Sequence, residues 1–133
     1  MTLSCHIDFD GRCEEAFRFY AAHLGGRIRT LLRVGDSPLR GRSGLPDTAV
    51  VHANIRFGDM ELAGADVAPP AYARPRGVYL LLGLESEARV RACFDALQEG
   101  GEAVLPPQAT FWSPCYAIVV DRFGVPWKLN CGT

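Results

Sequence analysis

Two histidines sit on strand-like runs at positions where a polar side chain interrupts an apolar alternation. His6 lies in "LSCHIDF" with Asp8 two residues on, and His52 lies in "AVVHANIRF" with Asn54 two residues on. An imidazole titrates near neutral pH, so either one can move a proton or anchor a polar ligand atom. Each can equally be a histidine hydrogen-bonded to a neighbouring strand. Asp8 and Asp66 are carboxylates that can orient a histidine or cap a turn. Near the end of the chain, "DRFGVPWKLN" carries Lys128, the only lysine beside 13 arginines. An ammonium on a short, apolar, aromatic strand can attract an anionic or carbonyl oxygen. It can also snorkel to solvent at a sheet rim. Upstream, Phe111, Trp112 and Tyr116 form an aromatic cluster. It can wall a small organic ligand, with the indole N–H and phenol O–H as handles, or serve core and interface packing.

Other chemistries find no support. There is no Ser-His-Asp order, phosphate-binding loop or convincing carboxylate pair. No glycine-rich strand-to-helix loop offers a nucleotide cofactor site. The five cysteines, Cys5, Cys13, Cys93, Cys115 and Cys131, are odd in number and form no CxxC pair. That argues against a disulfide framework or structural zinc and for small buried hydrophobes, with Cys131 equally readable as an exposed thiol. The net charge is −1 and the arginines are scattered, so no broad basic field draws nucleic acid or anionic lipid. No apolar run approaches membrane-spanning length, and the N-terminus lacks a basic n-region and a long h-region. A cytoplasmic protein without nucleic-acid or membrane partners is the expectation.

The elements that position these groups follow from periodicity. In "CEEAFRFYAAHLGG", Ala16, Phe17, Tyr20 and Leu24 share a helical face that ends at Gly25-Gly26. In "SEARVRACFDALQEGG", Val90, Cys93, Phe94 and Leu97 do the same, with Ser86 as cap and Gly100-Gly101 as stop. Strands are predicted at "LSCHIDF", "GRIRTLLRV", "AVVHANIRF", "MELAGA", "GVYLLLGLE", "YAIVVD" and "VPWKLN", with a hairpin turn at Gly58-Asp59. Two irregular stretches, 35–47 and 66–77, are rich in Gly and Pro and read as loops. The order is strand, helix, three strands, written twice. The expectation is one α+β domain over 1–133, with module 1 about 1–68 and module 2 about 76–133. The two βαβββ modules would form one curved mixed sheet, with helices on its convex side and a polar face left free for a ligand.

A duplicated βαβββ module resembles the vicinal oxygen chelate superfamily, the fold of glyoxalase I, extradiol dioxygenases and bleomycin-resistance proteins. The words "FDGRCEEAFRFYAAHLGG", "PDTAVVHANIRFGD" and "ALQEGGEAVLPPQATFWSPCYAIVVDRFGVPWKLN" resemble its PhnB-like, demethylubiquinone methyltransferase-like branch. Metal-dependent members place a His or Glu on the first and last strand of each module. By strand parity the resemblance puts those positions at His6, Glu61, Tyr79 and Lys128. Tyrosine is a poor ligand there, and a lysine ammonium has no lone pair to give. The resemblance therefore implies a cation where relatives hold a metal ligand, and a homodimer.

The reading that results is a small-molecule-binding protein with no cofactor expected. Its ligand would be small, partly apolar and partly anionic. His6, Glu61 and Lys128 would meet the polar end as candidate catalytic residues, with His6 or Glu61 as base and Lys128 as electrostatic stabiliser or partner of Glu61. His52, Asp66, Tyr79, Trp112 and Tyr116 would line the rest. The alternatives are an isomerase, lyase or dioxygenase with a divalent metal on His6 and Glu61, a drug-sequestering dimer of the resistance type, and a purely structural dimer.

Overall fold

The computed structural model describes residues 1–132. The chain divides into two compact units, Met1–Ala73 and Arg74–Thr133. Each is a βαβββ module, as its sequence pattern requires. In hydrogen-bonding terms the expected single sheet is two, because strand pairing is complete within each module.

The first module runs β1 (Cys5–Phe9), α1 (Cys13–Leu24), β2 (Arg27–Arg33), β3 (Val50–Phe57) and β4 (Met60–Asp66). Its sheet has the order β1-β4-β3-β2, with β1 parallel to β4 and the other pairs antiparallel. Cys13, Ala16, Phe17, Tyr20 and Leu24 form the buried stripe of α1, and a stripe of this spacing must pack on a sheet. It meets Phe9, Ala53, Ile55 and Leu62, all buried. The Phe9 and Phe17 rings pack edge to face at 5.8 Å. Gly64 lets them do so: a Cβ there would stand 2.8 Å from Phe17 Cζ. Gly25 ends α1 with φ 82°, in the left-handed region. Arg12 gives α1 no side-chain cap.

The second module runs β5 (Leu80–Leu84), α2 (Glu87–Gln98), β6 (Glu102–Gln108), β7 (Tyr116–Val120) and β8 (Pro126–Cys131). The sheet order is β5-β8-β7-β6, again with the outer pair β5–β8 parallel. Ser86 caps α2 by accepting from the Arg89 amide at 3.1 Å. Val90, Cys93, Phe94 and Leu97 are its buried residues, on the side where Ala117, Val119, Trp127 and Leu129 are buried too. β6 contains Pro106 and Pro107, which hid it from a reading of strand propensity. It is an edge strand with register shifts on either side of Leu105, where proline's missing donor is tolerated.

Asp121 holds the turn between β7 and β8. Its Oδ1 accepts from the amides of Phe123 (2.9 Å) and Val125 (3.0 Å), and its Oδ2 from Trp127 Nε1 (2.9 Å). Gly124 has φ 87°, as the sequence suggested. All five cysteines are free, and Cys131 is buried rather than exposed. Burial pushes the Cys13 and Cys93 thiols up, which makes them inert packing groups. Among the described residues, no helix is long and apolar enough to cross a membrane.

Candidate functional site

Helix packing decides which sheet face stays free, and strand parity then decides which side chains stand on it. On the first sheet the helix takes the face of Phe9, Leu62 and Ile55. The opposite face carries His6 and Asp8 on β1, Glu61, Ala63 and Ala65 on β4, and His52, Asn54 and Arg56 on β3. The register aligns His6 with Ala63 and Ala63 with Asn54 in one row, and Glu61 with Arg56 in the next. His6 and Glu61 are therefore diagonal neighbours on one face. His52 is exposed and stands opposite Leu32 of β2, at a bulge.

His6 Nε2 lies 3.0 Å from Asp8 Oδ1, with side chains 51% and 45% exposed. A contact this exposed adds little stability, so its consequence is orientation. An ionised carboxylate only accepts, so the neutral ring carries its proton on Nε2 and its lone pair on Nδ1. Nδ1 is the atom left to take a proton. His6 also lines a hollow of about 460 Å³ with Asp8, Leu39, Leu45, Val51 and Ala68, among others.

Glu61 is occupied differently. Oε2 accepts from Asn54 Nδ2 at 3.0 Å and Oε1 from Arg56 Nη1 at 3.1 Å. The Asn54 hydrogen bond, then the Arg56 hydrogen bond and charge, with Arg29 behind, hold its carboxyl below the usual carboxylate range. A depressed carboxylate is a weak base, so the general-base role expected of Glu61 is not supported. Its counter-ion is Arg56. The sign is that of any depressed acid. The favourable interaction is present above the unfolded-state value and is lost as pH falls through the lower folded-state value. A carbon-13 titration of the Glu61 carboxyl should show a midpoint below that of the free side chain, and Asn54→Ala should raise it. An unshifted midpoint contradicts this geometry.

Asp66 is the misplaced expectation. It points to the helix side, not the free face, and is 6% exposed. Oδ1 accepts from the Cys13 amide at 2.9 Å and Oδ2 from the Val50 amide at 2.8 Å. It edges the hollow near His6, but both oxygens already hold the backbone. A parity reading hid this, because the carboxylate serves as the missing cap of α1.

On the second sheet α2 takes the face of Leu80, Trp127 and Leu129. The free face carries the row Leu81–Lys128–Ile118, with Tyr116 two residues before Ile118. Lys128 is the only charged residue on β5, β7 and β8. Its ammonium sits 4.5 Å from the centroid of the Tyr79 ring, a cation–π contact. Trp112 stacks edge to face on Tyr116 at 5.2 Å, and Phe111 on Trp112 at 4.7 Å. Tyr116 is buried, whereas Phe111 is 98% exposed. Tyr79 also lines a hollow of about 530 Å³ with Arg74, Arg76, Glu102, Val120 and Pro126. Sequence reading missed this use of Arg74 and Arg76; their placement in a proline-rich loop gave no register to read.

The divalent ion implied by the family resemblance can be tested against these donors. The four positions hold a histidine tied to Asp8, a carboxylate bonded to a guanidinium, a tyrosine that falls just before β5 rather than on it, and a lysine seated on that tyrosine. Among the described residues, no three His, Cys, Asp or Glu side chains converge. This donor set does not fit a catalytic metal, which asks for three protein ligands.

Comparison with known proteins agrees with the architecture. The profile described as Glyoxalase/Bleomycin resistance protein/Dioxygenase superfamily matches residues 6–129. Protein YjdN of Escherichia coli K12 is 32% identical over 139 aligned positions, covering 98% of this chain and 95% of that protein. The crystal structure of PA1353 from Pseudomonas aeruginosa is 34% identical with a TM-score of 0.85, covering 98% of this chain and 97% of that one. A PhnB protein from Bacillus cereus has the same TM-score, 0.85, at 20% identity, covering 99% of this chain and 100% of that one. At that identity the likeness is one of fold. With matches spanning both modules, the chain belongs to the glyoxalase/bleomycin resistance protein/dioxygenase superfamily.

Proposed function

We propose that this chain binds a small organic molecule that joins an apolar body to an anionic group, without a metal ion. The observation that supports the reading is Lys128. It is the single charge on β5, β7 and β8, flanked in its row by Leu81 and Ile118, with Tyr79 against its ammonium. Holding a cation on an apolar face sacrifices hydration. The Tyr79 ring returns part of that loss, and a carboxylate or phosphate would return more through a charge-assisted hydrogen bond. The hollow that Tyr79 also lines adds Arg74 and Arg76 against the one carboxylate of Glu102, and an apolar wall of Val120 and Pro126. Its volume, about 530 Å³, suits a small metabolite. Should the chain catalyse a reaction, proton transfer at His6 Nδ1, oriented by Asp8, is the chemistry its side chains offer. We also propose a homodimer, supported by the exposed Val104 and Phe111 of the second module.

The test uses phenylacetate and its neutral analogue phenylacetamide, followed by amide NMR on the full chain. Phenylacetate should move Leu81, Ile118 and the Tyr79 ring saturably, and the amide should bind at least about tenfold more weakly. Lys128→Met, which keeps the apolar stem, should cost phenylacetate about tenfold in affinity while the spectrum stays that of the folded protein. Equal binding of the two probes, or an indifferent Lys128→Met, would sink the reading.

A further inference from the structure

Two of the five cysteines face each other across the β7–β8 hairpin. The register pairs Tyr116 with Asn130, so the next rung outward joins Cys115 to Cys131. The Cys131 amide donates to Cys115 O at 3.1 Å. Directly opposed residues of an antiparallel pair project to one face. Here it is the helix side, in step with Trp127 and Leu129. Both thiols are free, with Cys115 0% and Cys131 6% exposed. Burial, then the Glu87 charge, push the Cys115 thiol up against the pull of Arg91. The Cys131 thiol adds to that rise, so the two sulfurs lie within electrostatic reach.

The other cysteines have no such arrangement among the described residues. Cys5 stands opposite Leu62 in its ladder, and Cys13 and Cys93 lie on different helices. The Cys115–Cys131 rung is also open on one side. The Cys115 amide donates to Ser113 Oγ at 3.2 Å, and that hydroxyl stands 3.4 Å from Cys131 O. Its closer partner is Asn130 Oδ1. A hydroxyl thus occupies the place of a ladder bond, and the rung is not locked. The next residues outward, Pro114 and Gly132, are exposed, and Gly132 takes φ 82°. The pair lies one residue in from the surface end of the ladder.

A rung of this kind sets the Cα atoms about 5.5 Å apart, inside the range a disulfide spans. The Cβ atoms of opposed residues stand about 5 Å apart, whereas a disulfide asks for about 3.8 Å. Closing the bond must draw the strand ends together by about 1 Å, which the open rung permits. A disulfide made against that spacing is strained, and strained disulfides are readily reduced.

We propose that Cys115 and Cys131 form a reversible redox modification site, closed to a disulfide by a peroxide and reopened by a small thiol. Cys131, the more exposed of the two, reacts first. Its thiolate attacks one peroxide oxygen; an S–O bond forms, the O–O bond breaks, and the departing hydroxide takes up the thiol proton as water. The Cys115 sulfur then attacks Cys131 Sγ. The S–S bond forms, the S–O bond breaks, and the second hydroxide leaves as water with the Cys115 proton. Two thiols have given two electrons to one peroxide. Two molecules of a small thiol return them, leaving as their own disulfide. The site is separate from the anion reading at Lys128 and does not rest on it.

The experiment treats the folded full chain with hydrogen peroxide, blocks the remaining thiols with N-ethylmaleimide in denaturant, and maps the products by mass spectrometry. The expected product has lost two hydrogens within one chain, links Cys115 to Cys131, and carries the block on Cys5, Cys13 and Cys93. Reduced glutathione should restore all five thiols. Cys93→Ala should form the same link, which matters because Cys93 and Cys115 share one tryptic fragment. Cys131→Ala should lose it. Cys115→Ala should lose it too and leave Cys131 as a sulfenic acid that dimedone captures. Should an alanine variant misfold, the unsubstituted protein still decides: the 13Cβ resonances of Cys115 and Cys131 should move together to the disulfide range on oxidation. Linkage of Cys93 to either residue, oxidation confined to Cys5, a link that glutathione leaves intact, or no reaction with excess peroxide each overturns the proposal.

Discussion

Replacing Asp121 by alanine should destabilise the second module by about 3–5 kcal/mol, the sum expected for three buried donors stripped of a charged acceptor. For a chain of this size that is a fall of roughly 10–20 °C in the midpoint of thermal unfolding. The side chain is 2% exposed, so solvent does not screen the interaction in the folded state. One oxygen fixes the turn by accepting from the Phe123 and Val125 amides, and the other fixes the core by accepting from the Trp127 indole. Truncation thus frees the turn from the strand it aims. Asp121→Asn separates the two tasks. Its Oδ1 can still serve both amides, but its amide nitrogen meets the indole N–H as donor against donor. It should lose about half as much. Amide hydrogen exchange should show the damage first at β7 and β8, whose register places Lys128 between Leu81 and Ile118. A loss under about 1 kcal/mol in Asp121→Ala would mean the hydrogen bonds described here are not held in solution.

That result bears on why "DRFGVPWKLN" looked like a site. Asp121, Gly124 and Trp127 are there for the turn and the core; Lys128 stands on the opposite face, against Tyr79. The sequence made the alternation legible because Trp127 and Leu129 must be buried on α2, which leaves Lys128 for the other face. The same parity placed His6, Glu61 and His52 correctly on the free face of the first sheet. Helices were readable from their apolar stripes and glycine stops. What stayed hidden were interactions between distant parts of the chain. Nothing near Asp66 in sequence shows that its carboxylate reaches the Cys13 amide, 53 residues away. Nothing in "MELAGA" shows that Asn54 and Arg56 already hold both oxygens of Glu61. β6 was obscured by two prolines that only an edge strand accepts. The two modules share a topology, yet their free faces differ in kind. The first carries His6, Asp8, Glu61, Asn54 and Arg56, and the second sets Lys128 among Leu81, Ile118 and Tyr116, with Glu102 on its edge strand. A duplicated backbone therefore fixes where side chains stand, and leaves the chemistry to each module's own residues.

Asp66→Ala should destabilise the first module by about 2–4 kcal/mol. The carboxylate ends β4, pairs in register with Phe9 of β1, and reaches the first residue of α1 and the first residue of β3. It acts as a helix cap supplied from another strand, because Arg12 offers α1 none. Losing a cap costs about 1–2 kcal/mol. Orphaning the Val50 amide in a buried setting adds about 1–3 kcal/mol, partly relieved if water enters the gap. Asp66→Asn should fall between wild type and alanine, since an amide can accept from one of the two backbone groups and must turn a donor toward the other. Hydrogen exchange should speed at Cys13 through Phe17 and at Val50 before it speeds elsewhere. The pair of variants also decides between two roles for this residue. A ligand contact would let Asp66→Asn unfold at the wild-type temperature and fail only in binding. A backbone tether, as the geometry has it, makes the drop in stability appear with no ligand present.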